Sequence, residues 1–295
     1  MKRIIDISNG PTRVRIDNGL LLIETATKNH IPLDQIDTII IAHPAVSLTG
    51  AALATLAENN IPVVFCNRSY IPVGSLSPYS TASLGAKRVR QQILLSHEVS
   101  QSLWKKIIET KVSNQATILS QHGLKDESDK IKSYLNSYKE ISFLESQSAR
   151  VYFSALFETG FNRRDEGFSE NHVLNYAYAL LRSRVSRTIC ASGLNPIFGI
   201  NHSNKYNAFA LSDDLMEPWR PLFDLKVLKC KSKLDTPIEL NKDIKEDLIE
   251  FSNERIKIKK ESRTVADWIE RSIRSCCLII ISENSIDSLE LPTLE

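Results

Sequence analysis

Ser75-Leu76-Ser77-Pro78-Tyr79-Ser80-Thr81-Ala82-Ser83 divides the chain. Serines, a threonine and a proline crowd this stretch and large apolar side chains are few, the composition of a connecting segment. Upstream of it, apolar residues alternate or run in short bursts, as strands require. Downstream they recur at helical spacing. The reading that follows is an α+β protein: a small N-terminal β-rich domain over residues 1–76, a linker over 77–86, a larger all-α domain over 87–282, and an acidic tail over 283–295.

The upstream half supports this in detail. Ile4 to Ile7 is a short strand. Thr12 to Ile16 alternates, with Val14 and Ile16 on one face and Arg13 and Arg15 on the other. Asp17-Asn18-Gly19 then suits a hairpin turn, because Asn and Gly tolerate positive φ, and Leu20 to Thr25 returns. Ile36 to Ala42 contains Ile39-Ile40-Ile41, a run that predicts burial on both faces. Thr49 to Asn59 reads as a short amphipathic helix, and Pro62 to Cys66 with Ile71 to Val73 completes the sheet. Downstream, helices are expected near 84–98, 100–121, 127–138, 141–159, 172–191, 213–230, 241–259 and 264–280, with Gly193 as a stop.

Composition narrows the function classes. Hydrophobic residues make up 42% and charged residues 24% of the 295 residues, enough apolar surface for a core, which excludes a mainly disordered chain. Lys and Arg total 37 against 35 Asp and Glu, so no global charge drives the chain to nucleic acid or membrane; such affinity must come from local patches. The five cysteines form no C-x-x-C pair, which fits buried thiols in a reducing cytoplasm. Asp6 ends the N-terminal apolar run too early for a signal peptide, and Cys276 to Ile281 is too short to span a bilayer. A cytoplasmic protein with no membrane partner is expected.

Three stretches carry chemistry. Glu145 shares a helix face with Ala149, Tyr152, Phe153 and Leu156. A carboxylate on an apolar stripe must reach the core edge or find a cation; taken alone it is compatible with a helix cap or an Arg partner. Gly199-Ile200-Asn201-His202-Ser203-Asn204-Lys205 is a polar loop between helices, and its histidine is either a plain surface residue or a metal ligand or base. In Ser212-Asp213-Asp214-Leu215-Met216-Glu217-Pro218-Trp219-Arg220-Pro221-Leu222-Phe223-Asp224, Ser212 is a candidate helix cap. Asp214, Glu217, Arg220 and Asp224 fall on one face, either a solvated face or a fixed acidic one. Pro218 and Pro221 inside the helix cost roughly 3 kcal/mol each, and Trp219 and Phe223 pin the opposite side. One imidazole and two or three carboxylates make a mixed N/O donor set, suited to Mg²⁺ or Mn²⁺ and to phosphate substrates. Spacing does not establish that residues 145, 202 and 217 converge.

Read together, the motifs resemble a known family. They are Glu145-x3-Ala149-Arg150-x-Tyr152-Phe153-x2-Leu156-Phe157, Asn175-Tyr176-x-Tyr178-Ala179-x-Leu181, Gly199-x2-His202 and Asp214-Leu215-Met216-Glu217-Pro218-x-Arg220-Pro221-x2-Asp224. With Leu48-Thr49-Gly50, Ile61-Pro62-Val63-Val64-Phe65-Cys66 and Pro72-Val73-Gly74 they are similar to the CRISPR-associated integrase family Cas1, in particular its type II members, over roughly residues 1–280. The resemblance implies that the helical domain is catalytic and that Glu145, His202 and Glu217 bind the metal, with Asp214 in support. The activity implied is a metal-dependent DNA endonuclease and integrase that joins the 3′-hydroxyl of a captured DNA fragment into the CRISPR repeat by transesterification. The alternative is a related nuclease of branched or single-stranded DNA that does not integrate. The implied partners are a second copy joined through the β domain, a Cas2 dimer completing a heterohexameric complex, double-stranded prespacer DNA, and the CRISPR repeat and leader; a type II effector and accessory adaptation proteins are further candidates. Candidate phosphate contacts are Lys87, Arg88, Arg90, Arg163, Arg164, Arg184, Arg187, Lys205 and Arg220, each with solvated surface or an internal ion pair as the alternative.

Overall fold

The structure, a computed structural model, describes residues 3–8, 10–67, 72–76, 85–137, 140–157, 160–165, 167–202, 204, 206–231, 238–282 and 284–294. The chain divides into two compact units, with the boundary between Gly85 and Ala86. Of the expected linker, residues 77–84 lie outside the described residues.

The first unit holds two four-stranded sheets. One contains β1 (Arg3–Ile7), β5 (Ile36–Ile41), β7 (Val63–Cys66) and β8 (Pro72–Leu76) in that order; the first three are parallel and β8 is antiparallel to β7. Every residue of β5 is buried, as expected of a strand flanked by two others and covered on both faces. The other sheet runs β4 (Lys28–Ile31), β3 (Leu20–Glu24), β2 (Thr12–Asp17) and β6 (Val46–Leu48). Asp17 pairs with Leu20 across Asn18 and Gly19, whose φ values of 48° and 78° give the two-residue hairpin that the sequence predicts. Strands β4 and β6 escape a sequence reading because Lys28–Ile31 is largely exposed and Val46–Leu48 is only three residues long. Val14, Leu21, Ile36, Ile39, Leu56 and Val63 form the core, with Leu56 supplied by α1 (Gly50–Glu58), which Thr49 caps.

The second unit contains α2 (Gly85–Ile93), α3 (His97–Gln121), α4 (Lys125–Ser137), α5 (Ile141–Leu156), α6 (Ser169–Ala191), α7 (Ala210–Met216), α8 (Arg220–Lys231), α9 (Lys242–Glu250) and α10 (Val265–Ile280). It is not purely helical. The expected helix over 241–259 stops at Glu250, and β9 (Arg255–Ile258) and β10 (Glu261–Thr264) form a hairpin. Arg255-Ile256-Lys257-Ile258 alternates with a period of two, and Lys259 takes a φ of 55° at the turn.

The single helix expected over 213–230 is three pieces. A 3₁₀ turn over Glu217–Trp219 separates α7 from α8, which places Pro218 and Pro221 in the first turns of their segments. No intrahelical N–H is needed there, so the cost expected of two interior prolines largely disappears. Ser212 does not cap: it sits inside α7, fully buried, with its hydroxyl against that of Ser186. Within the acidic tail, Glu290 pairs with Arg271 and Pro292 is buried, so its described residues pack on the helical unit. No disulfide joins any of the five cysteines. Among the described residues no helix is long and apolar enough to cross a membrane.

Candidate active site

Helix α3 is the spine of the site. Ser96 caps it by accepting a hydrogen bond from the Val99 N–H, and its buried stripe of Leu103, Ile107, Ile108 and Val112 fixes its rotation. That stripe also carries Lys111. Its ammonium stands 2.6 Å from Glu145 Oε1 on α5 and 2.6 Å from Glu217 Oε2 in the 3₁₀ turn. The structure thus brings Glu145 and Glu217 to one point, about a cation the chain supplies itself. Burial works against the Lys111 charge, but Glu217 and Glu145 outweigh it and leave the ammonium's pKa above its ordinary value. Glu217, with a side chain 5% exposed, also pairs with Arg220 Nε at 3.0 Å. Burial alone would lift its pKa; Arg220 and then Lys111 overcome that and hold it below the usual glutamate range.

His202 reaches the same neighbourhood by a separate device. Asp214 on α7 is fully buried, and its carboxylate accepts backbone N–H groups of Ile200 at 2.7 Å, Asn201 at 3.0 Å and His202 at 3.2 Å. The loop therefore wraps one carboxylate, whose Oδ1 also lies 2.5 Å from His202 Nδ1. Gly199 is required for this closeness: a Cβ there would stand 2.7 Å from the His202 carbonyl and 2.8 Å from Asp214 Oδ2. Two more helices secure the loop. Gln92 of α2 donates to the carbonyls of Asn195 and Phe198, and Ser100 of α3 donates to that of Ile200. Trp104 meets the imidazole edge-on, with ring centroids 6.0 Å apart. The hydrogen bond to Asp214 leads in raising the His202 pKa against partial burial, and the charges of Asp214, Glu217 and Asp213 add to it. In its neutral form the ring donates Nδ1–H to Asp214 and leaves the Nε2 lone pair available. A cavity of about 440 Å³, lined by Phe198, Asn201, His202 and Asn207 among others, opens beside the ring.

Two carboxylates about a cation and an imidazole within electrostatic reach fit a hard divalent ion in donor type. Among the described residues, however, no three His, Cys, Asp or Glu side chains stand close enough to share an ion, and the place between the two glutamates is held by Lys111. The sequence reading missed Lys111. Its signal was a lysine at the 103–107–111 spacing of an apolar stripe, a position that needs a buried acid.

Asp224 lies outside the carboxylate pair. It is buried in α8, accepts the Tyr178 hydroxyl at 2.5 Å and has the Tyr152 hydroxyl nearby.

The candidate phosphate contacts divide. Arg163 donates to Asn171 and Asn175 and lies over the Tyr178 ring, as does Arg220. Arg88 donates to the Ser192 carbonyl. Arg184 and Arg187 are held low in pKa by burial, with Glu270 opposing in both cases. These five are engaged by the protein, so their first task is packing. Lys87, Arg90 and Arg164 are exposed, and Lys205 lies outside the described residues.

The family model for CRISPR associated protein Cas1 matches residues 6–242. A CRISPR-associated endonuclease Cas1 of Neisseria meningitidis serogroup C (strain 8013) is 30% identical over 295 residues, 99% of this chain and 96% of the relative. Among solved structures, a casposase bound to integration product superposes with a TM-score of 0.79 at 19% identity, over 97% of this chain and 92% of that one. A chain of a Cas6-RT-Cas1–Cas2 complex superposes with a TM-score of 0.80 at 17% identity, over 100% of this chain and 36% of that one. At these identities the two structures speak for a shared fold.

Proposed function

Because the chain belongs to the Cas1 family of CRISPR-associated proteins, we propose that it is a DNA endonuclease and integrase whose chemistry is carried by Glu145, His202 and Glu217. The observation that carries this reading is the meeting of Glu145 and Glu217 at Lys111, with the His202 ring oriented by a buried aspartate and within electrostatic reach of Glu217. Glu145, Glu217 and the Nε2 of His202 would hold Mg²⁺ or Mn²⁺. When bound, such an ion lowers the pKa of an attacking hydroxyl and offsets charge on the phosphate oxygens.

The remaining work belongs to the chain. Asp214 holds the imidazole in one tautomer and one orientation. Arg220 and Lys111 keep Glu217 ionised despite burial, so it enters the reaction as a carboxylate. The cavity beside His202 gives a DNA strand end room to approach. Joining needs no external energy. The 3′-hydroxyl of the incoming fragment gives up its proton as its oxygen forms one P–O bond, the target strand's P–O3′ bond breaks, and the leaving oxygen takes up a proton. Positioning of the two strands is therefore the main contribution asked of the protein.

For partners, the Cas1–Cas2 complex among the structural neighbours supports Cas2, here read as a dimer, and the casposase bound to its integration product supports DNA. Pairing of two copies through the β-rich unit completes the reading, and sedimentation of the full chain measures it. That the Neisseria relative is an endonuclease favours a second reading: cleavage of branched or single-stranded DNA with water as nucleophile and no joining. Incubation with Cas2, a short duplex and a supercoiled plasmid bearing a CRISPR repeat separates the two. Joined product that vanishes with a 3′-dideoxy fragment is expected; nicked plasmid without joined fragment would establish the second reading instead.

A further inference from the structure

Residues beyond 242, where the family-model match stops, return to the helical unit at one particular point. Asn114 lies on α3 three positions after Lys111 and is 1% exposed. Its amide nitrogen donates to two carbonyls, that of Pro218 at 3.1 Å and that of Pro292 at 2.8 Å. Its amide oxygen accepts the Leu294 N–H at 3.0 Å. One buried side chain thus ties Pro292 and Leu294 to the carbonyl of Pro218, the residue after Glu217. Upstream, the same segment is stapled to α10, where Arg271 pairs with Glu290 and the Ser275 hydroxyl accepts the Glu290 N–H at 3.0 Å. Leu291 and Pro292 also line a cavity with the buried Trp219, two residues from Glu217.

We propose that Glu290–Leu294 is a positioning strap for Glu217. It completes the hydrogen bonding of Asn114, and Asn114 in turn fixes the Pro218 carbonyl and the carboxylate before it. Lys111 and Arg220 hold the carboxylate itself, and the strap fixes the backbone of the short 3₁₀ turn that carries it. The inference rests on the reading of Glu217 as catalytic for its effect on rate, but not for the coupling itself.

The test uses the full chain, a chain ending at Leu289, and Arg271→Gln, which loosens the staple without touching the site. Hydrogen exchange of the peptide spanning residues 211–221 should rise in both altered chains, while exchange in the β-rich unit stays as in the full chain. The kcat for DNA cleavage should fall 10-fold or more, with KM for DNA within twofold. A peptide of residues 284–295 added in trans should restore the shortened chain. Unchanged exchange over 211–221 overturns the strap whatever Glu217 does. Raised exchange with unchanged kcat overturns the positioning role. Loss of kcat together with DNA affinity and thermal stability, not restored by the peptide, marks a merely structural tail and also overturns it. Failure of the catalytic reading looks different: Glu217→Ala would leave wild-type cleavage.

Discussion

Lys111 is the residue on which the site's electrostatics turn. An ammonium between two carboxylates, one of them almost fully buried, offsets a repulsion the fold could not otherwise hold. Lys111→Met should therefore lower stability by roughly 3 kcal/mol, the low end for a broken buried pair because Glu145 reaches solvent. It should also tighten Mn²⁺ binding by calorimetry, since an ion no longer competes with a tethered cation; an unchanged or weaker affinity would show that Lys111 does not occupy the ion's place. Asp224 supplies a pH signature. Burial lifts its carboxyl to about 6 against the Tyr178 hydrogen bond and the charges of Arg163 and Arg220. The native chain then holds this proton more tightly than the unfolded chain, so the contribution of Asp224 to stability is fully present below ~4 and is lost as pH rises through ~6. Asp224→Asn should stabilise by about 2 to 3 kcal/mol at pH 8 and by almost nothing at pH 4, in urea titrations. An equal effect at both pH values would remove that account.

The elements show why parts of the design were legible. The Asn18-Gly19 hairpin, the buried β5 and most helices follow from turn chemistry and periodicity, which are local. The α7–turn–α8 break was legible only as a conflict: two prolines in a helical pattern predict a kink, whereas the chain ends one helix and starts another. The β9–β10 hairpin was lost because only the four residues Arg255–Ile258 alternate, β10 is wholly polar, and the pair follows a true helix after one 3₁₀ turn. The convergence of α5, the 199–202 loop and the Glu217 turn has no local signal; the family resemblance implied it, but not the part that α3 plays through Lys111. Gly199 illustrates the difference, since nothing in the sequence says that a methyl group there would collide with Asp214. Gly199→Ala should cost 1 to 3 kcal/mol by overpacking, on the order of what a close core contact costs. Cleavage kcat should fall about 10-fold or more as the imidazole shifts. Wild-type kcat in a correctly folded variant would mean that the loop tolerates displacement.

At the scale of the whole molecule, a net charge of +2 means that DNA must be held by placement of charge, not by its sum. Most of the arginines expected to grip phosphate are instead engaged within the helical unit, which leaves Lys87, Arg90 and Arg164 exposed. Replacing all three by Ala should reduce the slope of log affinity against log salt by about two to three for duplex DNA, in fluorescence titrations from ~50 to ~200 mM salt; an unchanged slope would place the phosphate contacts elsewhere. The remaining claim is that Glu145, His202 and Glu217 are one divalent-cation site. Diffraction from crystals grown with Mn²⁺, recorded for anomalous signal, tests it most directly. The account predicts a single peak within bonding reach of all three side chains, with the Lys111 ammonium moved aside. No peak there, with Lys111 still bridging the two glutamates at saturating Mn²⁺, would contradict it.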